Sequence, residues 1–452
     1  MTRAAWCALV LAALSADIAG AQVPFRVSAG DSAAGAGPAL AVARDTATMR
    51  FDVGGVRVIL RRNPANDVVA ANLYLLGGAR QLADSTAGIE ALLLAAAERG
   101  TRRYPGDLAR SALARTGSTI ATDVAEDWSL LSLRTLRSAL DSSWAVLADR
   151  VTAPALDSAS VEVVRRQLLN GVRQRRLQPD AEVTALAESL LYVGHPYARD
   201  PLGTERSLAR ITLGELRRYQ QEQVVTSRML LVVVGNVDRA GVTRLVERTL
   251  GRLPRGGYHW TLPAAPAAGG AQLVLRRQLP TNYILGYFPG PAPTSPDYAA
   301  LRVASAVLSG SLFAEIRGRQ NLTYAVDAPF VEHAASAGGL YVTTVAPDSV
   351  LRLMRAELAV MQQELLDPEG LQQLVGRFIT DFFLKNETNA DQANFLARAE
   401  LYQGDYRAAA RFVDDLRQVT PAQVRRVANR YWKALRWVYL GDPAKLDTTL
   451  LW

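Results

Sequence analysis

The chain has 452 residues, 49% of them hydrophobic and 21% charged. That length exceeds what one ordinary core serves, so two or more domains are expected, and the composition excludes a disordered chain. The formal charge of +8 comes almost wholly from arginines interspersed with acids, as in ERSLARITLGELRR. No basic run carries interleaved aromatics, so nucleic acid is excluded as an expected partner.

Residues 1–21 read as a secretory signal peptide: Arg3, an apolar run from Ala4 to Ala16, then the small triplet Ala19-Gly20-Ala21. The run is too short to span a bilayer. Cys7, the one cysteine, lies inside it, so a mature chain would hold neither disulfide nor thiol. No second long apolar stretch is evident, so no integral membrane span is expected after signal removal, and export to the periplasm is the expected location. Residues 22–48, rich in Ala, Gly and Ser, read as a flexible leader.

Regular structure is expected from Phe51, with a hairpin turned at Gly54-Gly55, a loop at Asn63-Pro64 and a buried strand over Val68 to Leu76. GIEALLLAAAERGT, residues 88–101, follows that strand directly as a short, almost wholly apolar helix. From about Leu136 to Gln223 apolar residues recur at three and four spacing, the helical period, and a strand at Met229 to Val234 closes the first half. LPRGGYHWTLPAAPAAGGAQ, residues 253–272, reads as a Pro/Gly-rich linker between two domains, 49–252 and 273–452.

The two halves end alike. Thr212 and Glu215 form a capping box before a helix, an apolar strand and Gly235; Thr420 and Gln423, with Pro421 at the first helical position, precede a helix, a strand and Gly441. Recurrence of that unit predicts a duplicated domain.

The usual signatures of chemistry are missing. The three histidines, His195, His259 and His333, are too far apart in sequence to share a helix face, as a helical zinc site requires. Ser309 and Ser311 lack the second glycine of a nucleophile elbow. The only lysines, Lys385, Lys433 and Lys445, follow no phosphate-binding loop.

The order of segments nevertheless resembles the pitrilysin/insulinase family of zinc peptidases, the inverted H-x-x-E-H group that includes the processing peptidases. The resemblance runs from about Arg50 to Gly441 through GVRVILRR, LLGGAR, GIEALLLAAAERGT, TGSTIATDVAEDWSLL, HPYARDPLGTERSLARITLGELRRYQ, LLVVVGNVD and SGSLFAEIRGRQNLTYAVDA. It implies an α+β fold of two similar, duplicated α/β-sandwich domains, each a mixed sheet plus helices. In the family's active members the apolar helix reads G-L-x-H-x-x-E-H-x-x-x-x-G-T. Gly88, Gly100 and Thr101 match, which sets Ala91 and Ala95 where the histidines would be and Leu94 where the general base would be. The distal glutamate ligand would fall near Val164, with Glu162 close in sequence but turned away. These side chains offer no lone pair, so the resemblance implies no cofactor in this chain and no catalysis by it alone.

The family's other contribution, R-x-x-x-G-L-x-Y, is matched by RGRQNLTY, with Arg317 and Tyr324 at the family's separation and Asn321 in place of the glycine. Both are fixed donors suited to substrate binding and to the developing oxyanion. Gly117, Ser118, Thr119, Ile120, Ala121 and Thr122 resemble the edge strand to which an extended peptide adds. The resemblance therefore implies the non-catalytic subunit of an exported heterodimer that acts on unfolded peptides, with zinc held by a homologous H-x-x-E-H partner. The alternative is a structural or peptide-binding scaffold with no role in proteolysis.

Overall fold

The computed structural model describes residues 47–451. The signal peptide expected at 1–21 lies outside the described residues, as does the leader expected at 22–48 but for its last two residues.

The first sheet is built from β1 (Thr48–Val53), β2 (Val56–Arg62), β3 (Val68–Leu76), β4 (Thr119–Val124), β5 (Trp128–Leu136) and β6 (Met229–Gly235). Their spatial order is β1-β2-β6-β3-β5-β4, with β2 parallel to β6 and every other pair antiparallel. Gly54 and Gly55, at φ 56° and 84°, turn the β1-β2 hairpin as positions that require left-handed backbone. β1 starts three residues before the expected Phe51. Met49 and Arg50 are exposed, so hydropathy does not mark them; pairing with Leu60 and Ile59 does. Eight helices accompany this sheet in the chain: α1 (Ile89–Glu98), α2 (Leu108–Arg115), α3 (Leu140–Thr152), α4 (Ser158–Leu177), α5 (Pro179–Leu191), α6 (Glu205–Arg210), α7 (Leu213–Gln223) and α8 (Arg239–Arg248). α1 does not follow β3 directly: two 3₁₀ turns, Gly78–Gln81 and Asp84–Thr86, intervene.

The second sheet comprises β7 (Ala271–Arg276), β8 (Asn282–Pro289), β9 (Thr323–Asp327), β10 (Phe330–Val331), β11 (Ala337–Thr344) and β12 (Arg436–Gly441). Its helices are α9 (Asp297–Leu312), which runs on into a π-helical turn over Phe313–Arg319, then α10 (Pro347–Gln363), α11 (Pro368–Lys385), α12 (Asn389–Gln403), α13 (Ala408–Arg417) and α14 (Pro421–Tyr431). The order β7-β12-β8-β11, with β9 and β10 on the far side of β11, repeats β2-β6-β3-β5-β4. The parallel pair β7/β12 matches β2/β6. Both capping boxes form: Thr212 and Glu215 bond reciprocally at α7, Thr420 and Gln423 at α14. Two similar α+β domains are therefore present.

Each domain completes the other. One face of the first sheet is covered by α12 from the second half, where Ala393, Leu396, Ala397 and Leu401 pack on Ile59, Tyr74, Leu230 and Val232. α5 of the first half returns the arrangement, placing Val183, Ala187 and Leu191 on Leu285, Tyr287, Val438 and Leu440. Polar stitches accompany both helices. Asn394 Oδ1 accepts from Tyr74 Oη at 2.5 Å and Asn72 Nδ2 at 2.8 Å, and Arg436 Nη1 donates to the carbonyls of Leu190 and Leu191 at the end of α5. At ~1.5–3 kcal/mol per buried aliphatic side chain, parting the halves would carry a large hydrophobic cost.

The linker expected at 253–272 gives way to β7 at Ala271 and is extended but not slack. Thr226 and Ser227 donate backbone N–H groups to Pro254 and Arg255, and Trp260 donates to Leu401 O at 2.8 Å beneath the Arg80 guanidinium. One helix among the described residues, Asp297–Arg319, is long and apolar enough to cross a membrane, contrary to the expectation of no second long apolar stretch. Its apolar residues, among them Leu301, Ala304, Leu308 and Leu312, lie in the core of the second domain.

Candidate functional site

α1 begins at Gly88, whose φ of 84° and close approach to Leu202 O, 2.7 Å from where a Cβ would lie, leave room for glycine only. The helix is sunk into the first core. Ala91 and Leu94 are buried, Ala95 is half-buried, and Val164 of α4 belongs to the same apolar cluster as Leu94. Glu162 lies on the outside of α4, its side chain about half exposed and paired to Arg165 at 3.0 Å. The expected ligand positions lie on two helices that pack together, and they present only methyl, isobutyl and isopropyl groups, which do not fit a zinc ion.

The one polar side chain buried from α1 is already committed, and sequence reasoning did not single it out. Glu90, 2% exposed, accepts from Arg228 Nη2 at 2.6 Å, Tyr219 Oη at 3.0 Å and Ser129 Oγ at 2.6 Å. Arg228, 1% exposed, also donates to Leu76 O and Gln223 O. Burial works against the Arg228 charge, but Glu90 and Tyr219 outweigh it and hold its pKa above the usual value. A glutamate inside an otherwise apolar helix is the available signal, because a buried carboxylate requires a cation.

On the second domain the chain leaves α9 through a π-helical turn, a local distortion that recurs at functional sites. The turn presents Arg317, whose guanidinium carbon lies 4.8 Å from the Tyr324 ring centroid and 5.0 Å from that of Phe313. Tyr324, the second residue of β9, is 78% exposed. Arg319 is tied to Glu315 at 2.7 Å, whereas Arg317 makes no ion pair among the described residues. Asn321 has φ 51°, left-handed backbone that asparagine tolerates better than most non-glycine residues, which accounts for its standing where the family has glycine.

β4 terminates the first sheet and pairs only with β5, so its outer edge has no strand neighbour among the described residues. Thr119 and Ala121 are exposed, Ile120 is buried and Thr122 half-buried. Gly117, at φ 61°, and Ser118 precede the strand instead of belonging to it. Ser118 Oγ is enclosed by Thr135 and Ser143 hydroxyls at 2.8 Å, so its side chain is closed to a ligand. α1 packs beside β4.

Residues 57–205 match the family described as Insulinase (Peptidase family M16), and residues 210–376 match its companion, described as Peptidase M16 inactive domain. The chain belongs to the pitrilysin/insulinase family. An uncharacterized zinc protease of Mycobacterium bovis is 26% identical over 87% of this chain and 92% of its own length. The crystal structure of a peptidase M16 inactive domain from Pseudomonas fluorescens superposes with a TM-score of 0.78 at 20% identity, over 87% of this chain and 98% of that one. The periplasmic protease PqqL from Escherichia coli superposes with a TM-score of 0.75 at 16% identity, over 91% of this chain and 50% of that one. The family match passes from one description to the other at residues 205–210, but β6 lies in the middle of the first sheet, so the segment that follows belongs structurally to the first domain.

Elsewhere in this pitrilysin-family chain the remaining sequence candidates resolve into structure. His195 accepts from Tyr197 N through Nδ1 and bonds Ala264 O through Nε2; burial lowers its pKa. His259 is exposed in the linker. Ser309 Oγ donates to Asp327 and Ser311 Oγ to Glu357, both at 2.5 Å, without a histidine base. His333 stands 3.8 Å from Glu126 at the seam between the domains. There the β4-β5 turn docks on the loop after β10: Asp127 Oδ2 accepts from Tyr402 Oη at 2.9 Å and Ala334 N at 3.1 Å. Glu188 of α5 faces the same seam, and burial, then Glu126 and Asp200, pushes its pKa up to about 7.

Proposed function

We propose that this chain is the non-catalytic subunit of an exported, heterodimeric zinc peptidase. It binds unfolded peptides with a homologous H-x-x-E-H partner and supplies Arg317 and Tyr324 to the shared site. The observation that carries the reading is the exposed Arg317–Tyr324 stack, 4.8 Å apart with no ion pair to Arg317 among the described residues, in a chain whose α1 has alanine, leucine and alanine at positions 91, 94 and 95. A guanidinium clamped against a phenol is a pre-oriented donor pair toward a peptide carbonyl oxygen, where charge develops during attack. In the partner, zinc would polarise that carbonyl and activate the attacking water. β4, from Thr119 through Thr122, offers its free edge to the peptide backbone, which needs no particular side chain. Export is supported by the signal pattern at 1–21 and by the likeness to a periplasmic protease.

The test is co-expression with an exported homologue bearing H-x-x-E-H, followed by co-purification and a zinc-dependent peptide cleavage assay. Arg317→Ala and Tyr324→Phe should lower kcat of the complex while the variants stay folded and bound. An unchanged kcat sinks the shared site and leaves the scaffold reading in its place. Stoichiometric tight zinc on the isolated chain would overturn the reading of α1.

A further inference from the structure

Behind the first domain, away from the residues of the proposed site, a cavity of about 240 Å³ opens between α3, the end of α8 and the turn that follows α1. Ala145, Ala148, Asp149 and Thr152 of α3 form its floor at helical spacing, and their small side chains make the room. Arg103 of the turn, with Arg248 at the end of α8 and Arg252 beyond it, forms the rest of its polar lining together with Thr249.

The electrostatic balance is uneven. None of the three guanidinium groups, all on exposed residues, makes an ion pair or side-chain hydrogen bond among the described residues. The hydroxyls in the lining have spent their protons: Thr152 donates to Ala148 O at 2.8 Å, and Thr249 donates to Leu245 O at 2.6 Å while accepting from Trp144 Nε1. Asp149 is drawn to the α1 side, accepting from the Thr101 hydroxyl and from Arg103 N at 3.2 Å. Three exposed cations, each a planar fork of donors, therefore share the lining with a single carboxylate that is already engaged.

We propose that this cavity is a binding site for a phosphoryl group, held by Arg103, Arg248 and Arg252. A tetrahedral oxyanion offers more acceptor oxygens than a carboxylate and can serve three guanidinium groups at once. The ligand braces the turn that carries Thr101 against α3, at the C-terminal end of α1. The site is independent of the subunit role proposed above.

Isothermal titration with inorganic phosphate at constant ionic strength, with chloride as the control, should show saturable binding with a Kd on the order of 1 mM. Arg248→Ala/Arg252→Ala should weaken it at least ~tenfold, and Arg103→Gln should weaken it independently. Arg173→Ala, which removes a paired arginine elsewhere, should leave it unchanged. Sedimentation with phosphatidylglycerol vesicles, against phosphatidylcholine alone, separates the sources of the group. Vesicle binding that needs the same arginines and is competed by phosphate identifies a lipid headgroup; phosphate binding without vesicle binding identifies a soluble phosphoryl compound. A non-saturating response, or equal binding by wild type and the folded double variant, overturns the proposal.

Discussion

The helix after the third strand of the first sheet and the helix after the matching strand of the second occupy equivalent places in a duplicated fold, yet they have opposite fates. α1 is pressed into its core, presents Ala91, Leu94 and Ala95 at the positions that the resemblance assigns to two zinc ligands and the general base, and confines its one buried charge within the Glu90–Arg228 pair. α9 instead exits through a π-helical turn that leaves Arg317 and Tyr324 stacked at the surface with no carboxylate attached. Burial demands that charge be neutralised locally, whereas exposure lets a cation wait for a ligand. Side chains buried at α1 are expected to report on stability, and side chains exposed beyond α9 on the proposed function.

Substitutions at four positions would break or sharpen that contrast. The largest effect is expected for Glu90→Gln, which strands Arg228 without its counter-charge: a loss of ~3–5 kcal/mol in urea unfolding, with no direct effect on any catalysis by the folded fraction. Arg317→Ala should do the reverse, lowering kcat of the partnered complex ~10²–10³-fold while unfolding stability stays within about 0.5 kcal/mol of wild type. An Arg317 variant that unfolds, or a Glu90 variant that keeps its stability, would erase the distinction. Asn321→Ala lies between the two, because alanine at φ 51° carries a left-handed penalty of ~1–2 kcal/mol that Asn321→Gly should relieve, as measured by denaturant midpoint.

The smallest effect concerns the domain seam. Glu188 has its pKa raised from 4.5 to about 7. The folded state therefore retains a proton that the unfolded state has released, and stability falls as pH rises across that interval. Glu188→Gln should remove this slope, so that the variant matches wild type near pH 4 and exceeds it by ~1 kcal/mol at pH 8. Parallel curves for the two proteins would show that Glu188 is not held neutral by the seam.

Much of the fold is legible in the order of residues alone. β3 runs over the residues that read as a buried strand, because nine nearly uninterrupted apolar residues bounded by turn formers have few other solutions. Gly54-Gly55, the two capping boxes and the repeated helix-strand ends are equally readable, since each is a local rule with a local cause. The start of β1 is not, for Met49 and Arg50 are exposed and owe their conformation to a neighbouring strand. Asn321 visibly replaces a glycine, but only the backbone shows that it keeps the glycine's left-handed turn.

The sequence by itself determined the elements, their order, their duplication and the apolar side chains at positions 91, 94 and 95 of α1, because these depend on side-chain type and spacing along one chain. Only the tertiary structure decided that α5 and α12 would each close the other domain's sheet. An amphipathic helix declares that it has an apolar face, but not which of two equally apolar sheets will cover it. The same holds for charge: 51 basic residues say nothing of which are spent in ion pairs, and only folding shows that Glu90 consumes Arg228 while Arg103, Arg248, Arg252 and Arg317 form no ion pair among the described residues. Coulomb attraction acts through space, between residues that the sequence leaves far apart.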